Sequence, residues 1–145
     1  MSQRKTIRPG PALPRLIFVV DDDPLLGEFA GTVLESEGHK VKLFTEPKIA
    51  LRAMKNAAPK PAALVTDYDM KGMNGLDLIL AAEKICPLLK TVLLSGTVDG
   101  SVVVLHEAKV HRFIGKPYLP AQLKSAVEEL LQGKKAGRAG RARQA

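Results

Sequence analysis

Cysteine occurs once among the 145 residues, at Cys86, so no internal disulfide can form and the chain fits a reducing cytoplasm. Cys86 itself reads as a small apolar filler near a helix end. No apolar run approaches the roughly 20 residues of a membrane helix. The start, Met1-Ser2-Gln3-Arg4-Lys5, lacks the apolar stretch of a secretory signal. His39, His106 and His111 lack metal-ligand spacing with one another and read as surface or packing residues. No internal repeat and no second domain is visible.

Acid is missing from both ends. Residues 1–15 carry Arg4, Lys5, Arg8 and Arg15, and residues 133–145 carry Lys134, Lys135, Arg138, Arg141 and Arg143, with no Asp or Glu in either stretch. Taking these four and five cations from the formal +7 leaves −2 for residues 16–132, so the basic balance belongs to the ends and not to a basic face. Pro9, Gly10, Pro11 and Pro14 break the first segment, and Gly, Ala and Arg dominate the last. Neither can bury enough apolar surface to order itself, so both are expected to be flexible. An Arg-rich segment can attract nucleic acid, but a solubilising extension is the favoured reading.

What is present is a set of short apolar runs that stop on polar residues. Leu16-Ile17-Phe18-Val19-Val20 stops on Asp21-Asp22-Asp23, Ala62-Ala63-Leu64-Val65-Thr66 on Asp67, and Thr91-Val92-Leu93-Leu94 on Ser95. A further run, His111 to Gly115, stops on Lys116-Pro117. Runs of this kind, separated by helical patterns, read as parallel strands buried on both faces. In an open parallel sheet the carboxyl ends of the strands are where ligands bind. Acids, a hydroxyl and a lysine therefore converge on one edge, as a metal-assisted site for phosphorylating an aspartate requires.

Helical spacing fills the gaps. Pro24 suits a first turn, and Leu25/Leu26, Phe29/Ala30 and Val33/Leu34 follow at helical spacing until Gly38. Val41 and Leu43 alternate with Lys42 before Phe44, as in an edge strand. Thr45 is expected to cap a second helix running to about Asn56, Pro59 and Pro61 mark a loop, and a third helix spans about Gly75 to Ile85. Gly100 to Val110 reads as a short fourth helix capped by Ser101, although Val102-Val103-Val104 are poor helix formers. A last helix covers Pro120 to Gln132, ended by Gly133. Five strands alternating with five helices make a doubly wound α/β sandwich.

The same residues carry a resemblance. Val19-Val20-Asp21-Asp22-Asp23-Pro24, Asp67-Tyr68-Asp69-Met70-Lys71-Gly72-Met73-Asn74-Gly75, Leu94-Ser95-Gly96 and Phe113-Ile114-Gly115-Lys116-Pro117 resemble, in order and spacing, the motifs of response regulator receiver domains of bacterial two-component systems. The family's second motif reads D-x-x-M-P-G-M-[DN]-G, so Lys71 stands where proline is usual. The resemblance covers residues 16–132 and implies a five-stranded parallel sheet of order 2-1-3-4-5, a flavodoxin-like three-layer sandwich. It also implies that Asp67 is the phosphoacceptor and that Mg²⁺ (or Mn²⁺) is held by Asp22 and Asp67, by Asp21 through water, and by the backbone carbonyl of Asp69. Ser95 and Lys116 would stabilise the phosphoryl group, and Pro117 is a candidate cis proline. Ser95 and Phe113 would form the switch, while Asp69, Gly96 and Thr97 would modulate kinetics around an open site. Without its proline the loop from Asp69 to Asn74 is expected to be more mobile.

The implied partner is a sensor histidine kinase or histidine phosphotransfer protein, with signalling through protein–protein contacts and no membrane partner. Only thirteen residues follow the last helix, so no output domain is expected, and no enzymatic turnover beyond self-catalysed phosphotransfer and autodephosphorylation. Two rivals stand beside this reading. Asp67-x-Asp69 after a strand resembles the nucleophile pair of haloacid-dehalogenase-like phosphatases, though that family has its pair on the first strand. A nucleic-acid-binding regulator would work through the basic ends.

Overall fold

A computed structural model describes residues 15–104 and 106–133, and the two basic ends whose flexibility the sequence implies lie almost wholly outside them. The described chain alternates strand and helix: β1 (Leu16–Val20), α1 (Pro24–Glu35), β2 (Lys40–Phe44), α2 (Pro47–Asn56), β3 (Ala63–Asp67), α3 (Gly75–Ile85), β4 (Lys90–Ser95), α4 (Gly100–Val104), β5 (Arg112–Gly115) and α5 (Pro120–Leu131). The strands form one parallel sheet of order β2-β1-β3-β4-β5. No described helix is long and apolar enough to cross a membrane.

Successive side chains of a strand point to opposite faces, so each central strand feeds two cores. Ile17, Val19, Val65, Val92 and Leu94 pack with Ala30, Leu34, Leu123, Val127 and Leu130 of α1 and α5. Phe18, Val20, Leu64 and Leu93 pack on the other face with Ala50, Met54, Leu76 and Ile79 of α2 and α3. Leu34, Leu64 and Leu93 are wholly removed from water, which stabilises the fold by about 1.5–3 kcal/mol per side chain. β2 lies at the edge, as its alternation implies, with Lys40 and Lys42 exposed; Leu43, which the alternation would turn inward, is exposed too.

Helix starts follow local chemistry, with two corrections. Asp23 Oδ1 accepts the N–H of Leu25 at 3.0 Å ahead of α1, and Asn74 Oδ1 accepts that of Asp77 at 2.9 Å ahead of α3. Thr45 does not cap α2: Glu46 holds that position without a side-chain bond, and Pro47 in the first turn has already removed one donor. The fourth helix ends at Val104 instead of Val110, and Asp99 starts it, accepting the N–H and hydroxyl of Ser101. Three stiff valines are poor helix formers. Beyond them the chain is tied by side chains instead, His106 to Asp77 at 3.2 Å and the Lys109 N–H to Glu83 at 3.0 Å.

The apolar stripe of α1 also divides. Ala30, Val33 and Leu34 enter the core, whereas Leu25, Leu26 and Phe29 stay exposed near the carboxyl edge of the sheet. The histidines are packing and surface groups. His39 is buried, with Nδ1 accepting the Arg15 N–H at 3.2 Å and Nε2 on Glu128 of α5 at 2.7 Å.

Candidate functional site

Strand register brings the polar residues level. Val20 stands beside Thr66, so the residues that follow them, Asp21 and Asp67, share a row at the carboxyl edge. Asp67 pairs with Leu94, and Ser95 with Gly115, which puts Ser95 one residue beyond Asp67 and Lys116 immediately after the residue level with Ser95. Asp22 follows in the β1–α1 loop.

The side chains converge accordingly. Lys116 Nζ donates to Asp67 Oδ1 at 2.7 Å and lies 4.0 Å from Asp21 Oδ2. Asp21, Asp22 and Asp67 each offer an oxygen within 4.8 Å of the others. Asp21 and Asp67 are buried, and Asp21 Oδ1 accepts the N–H of Asp23 at 2.9 Å. Burial pushes the Asp21 carboxyl up to about 6, with the charge of Asp67 adding to the effect and the Asp23 N–H opposing it. Three carboxylates face one ammonium, so negative charge remains uncompensated.

Such a donor set suits a hard divalent cation. All its atoms are oxygens, which Mg²⁺ and Mn²⁺ prefer and which zinc sites seldom use alone. This is the one cluster of its kind among the described residues, and none of the three histidines joins it.

Ser95 is buried at the site, yet its hydroxyl accepts the N–H groups of Thr97 and Val98, both at 3.1 Å. In this conformation it holds the loop after β4. Thr97 is short, and its hydroxyl donates to the Asp69 carboxylate across the mouth of the site. Gly96 adds no side chain beside Lys116, and a Cβ there would stand 3.5 Å from that residue's Cβ, an ordinary van der Waals contact. The Lys116–Pro117 peptide is cis, as anticipated. Phe113 is half-buried on the α2/α3 side of the sheet and lies outside the acidic cluster.

Two features escaped the sequence reading. The Lys71 N–H donates to Asp22 Oδ2 at 3.1 Å, a backbone contact that a side-chain motif does not reveal. Beside the acids, Leu26, Phe29, Leu94, Pro117 and Tyr118 surround a depression of about 350 Å³ that Asp21 and Lys116 also line. The rings of Phe29 and Tyr118 lie 5.8 Å apart, and Leu25 and Leu119 are 75% and 68% exposed. The signal was the width of the α1 stripe, which holds more apolar residues than one core-facing row needs.

The family described as "Response regulator receiver domain" matches residues 17–128. The DNA-binding response regulator MtrA of Mycolicibacterium smegmatis is 32% identical over 118 residues, 80% of this chain and 50% of that protein. This chain thus spans about half the length of that relative. The chemotaxis protein CheY1 of Helicobacter pylori is 27% identical over 118 residues, 79% of this chain and 95% of its own. Among solved structures, a CheY-like receiver domain protein from Methanospirillum hungatei JF-1 aligns with a TM-score of 0.75 at 26% identity, covering 83% of this chain and 95% of that one.

Proposed function

The chain belongs to the response regulator receiver domain family, and from that premise we propose that Asp67 is the residue that accepts the phosphoryl group. The observation that carries this reading is the contact of Lys116 Nζ with Asp67 Oδ1 at 2.7 Å inside a cluster of three carboxylates. Asp67 attacks phosphorus in line; the P–N bond of a phosphohistidine donor breaks, and the imidazole leaves with the electron pair and takes up a proton. A divalent cation such as Mg²⁺ would be held by Asp22, Asp67 and the Asp69 carbonyl, with Asp21 through water, and would supply the positive charge that lets carboxylate and phosphate approach. Lys116 passes from the carboxylate to a phosphoryl oxygen, where a compact ammonium stabilises charge spread over the equatorial oxygens.

Ser95 completes the change by giving up the Thr97 and Val98 amides and donating to another phosphoryl oxygen. A charge-assisted bond of this type is worth about 1.5–3 kcal/mol, comparable with the two ordinary amide contacts it replaces at about 0.5–1.5 kcal/mol each. The vacated space lets Phe113 turn inward, which alters the face made by α4 and β5. Asp69 and Thr97, joined across the mouth, set how readily water reaches the phosphoryl group. The chemistry is self-catalysed and needs no turnover of a separate substrate.

The donor is a histidine kinase or a phosphotransfer protein, and the apolar face of Leu25, Leu26, Phe29 and Leu119 beside the acids supports docking of an apolar helix surface there. Neither rival gains support. Asp67 ends the third strand, and the Asp69 carboxylate that a phosphatase would need as its acid is engaged by Thr97. The nucleic-acid reading rests on segments outside the described residues.

The test is labelling by acetyl phosphate. The account expects a hydroxylamine-sensitive phosphoryl adduct that forms with Mg²⁺ and fails to form in excess EDTA. Equal labelling in EDTA would contradict it.

A further inference from the structure

The Lys71 N–H bond to Asp22 Oδ2 joins positions 49 apart in sequence. One partner lies in the loop after β1, the other in the loop after β3. All the oxygens assigned to the cation lie on these two loops or on the strand end beside them: Asp21 and Asp22 on one side, Asp67 at the end of β3 and the Asp69 carbonyl on the other. A single backbone donor therefore ties the halves of the site together. It does so from the position where the family motif has proline, which carries no N–H and could not make this bond. Gly72 follows with φ of +84°, turning the chain immediately after the donor, and the Asp22 carboxylate, half-buried, is held from outside.

We propose that the Lys71 amide is a positioning group for divalent-cation binding: it fixes the rotamer of the Asp22 carboxylate and locks the β3–α3 loop in the arrangement that the cation requires. This rests on the reading of Asp22 as a cation ligand. Carboxylates that bind metals are themselves commonly held by outer hydrogen bonds, and the N–H is charge-assisted. The replacement of proline thus adds a bond to the site besides removing a constraint from the chain.

The test is calorimetric titration of Mg²⁺ into the unphosphorylated full chain. Lys71→Pro is read against Lys71→Ala, because both lack the ammonium and only the proline lacks the N–H. The expected result is binding about tenfold weaker in Lys71→Pro than in Lys71→Ala, the lower end of the usual loss when an outer-shell partner is removed. Equal affinities, with wild-type binding intact, overturn the positioning role alone. A wild-type chain that binds no Mg²⁺, or an Asp22→Ala variant that binds as tightly as wild type, overturns the cation reading as well. Should Lys71→Pro fail to fold, hydrogen exchange of the Lys71 amide decides: slow exchange in wild type that becomes fast in Asp22→Ala supports the bond, and fast exchange in both overturns it.

Discussion

Gly75 lies so close beneath Asp67 that a Cβ at that position would stand 2.4 Å from the Asp67 carbonyl oxygen and 2.7 Å from Leu93 Cδ1. The first residue of α3 thus packs directly on the strand end that carries the proposed phosphoacceptor. Gly75→Ala should destabilise the fold by about 1–3 kcal/mol, the usual cost of overpacking. Gly100→Ala is the control, since nothing lies within 4 Å of its added Cβ. Urea denaturation of both variants checks the difference; equal midpoints would contradict the packing argument.

Removal of the Lys116 ammonium should separate phosphorylation from its structural consequence. In Lys116→Ala the resonances around Phe113 should respond weakly to beryllofluoride with Mg²⁺, because the phosphoryl mimic loses the cation that draws the β5–α5 loop toward it. NMR titration measures this. A full wild-type shift pattern in the variant would reduce Lys116 to a partner of Asp67 at rest.

Leu25 is largely exposed on α1, so Leu25→Glu should cost little stability. If the donor protein docks on this face, the ratio of kinase-driven to acetyl-phosphate-driven labelling should fall by about tenfold, corresponding to ~1.4 kcal/mol of lost contact. An unchanged ratio would move the docking surface elsewhere.

His111 accepts the Thr91 N–H at 3.1 Å, and burial, helped by Lys90, Lys109 and Arg112, pushes it down to about 4. Its unfolded value is 6.5, so as pH falls from 6.5 toward 4 the unfolded chain takes the proton first. The stability that neutral His111 contributes is present above 6.5 and is lost through that window. Asp21 shifts in the opposite sense, so a comparison at fixed Asp21 is needed. The difference in melting temperature between wild type and His111→Gln should narrow from pH 7 to pH 5. A constant difference would contradict the assignment.

The sequence revealed the parts of the site that are strand-terminal side chains. Asp21, Asp67, Ser95 and Lys116 each end an apolar run, and parallel register alone brings such residues to one edge. It did not reveal contacts made by backbone or chosen by packing. The Lys71 amide belongs to no side-chain motif. The Thr97 bond to Asp69 depends on how two loops fold toward each other. Leu25, Leu26 and Phe29 share the helical spacing of the core residues, and only the angle of α1 on the sheet leaves them outside. The fourth helix is shorter than the span from Gly100 to Val110 because Asp77, Glu83 and Thr91 bind the residues after it in another form.

The most direct test of the account is the chemical location of the phosphoryl group. Wild-type protein labelled by acetyl phosphate with Mg²⁺ is reduced with borohydride, which converts an aspartyl phosphate to homoserine, and the peptides are sequenced by mass spectrometry. The account predicts homoserine at position 67 and none in Asp67→Asn. Homoserine at Asp21, Asp22 or Asp69, or an acyl phosphate that persists in Asp67→Asn, would contradict it.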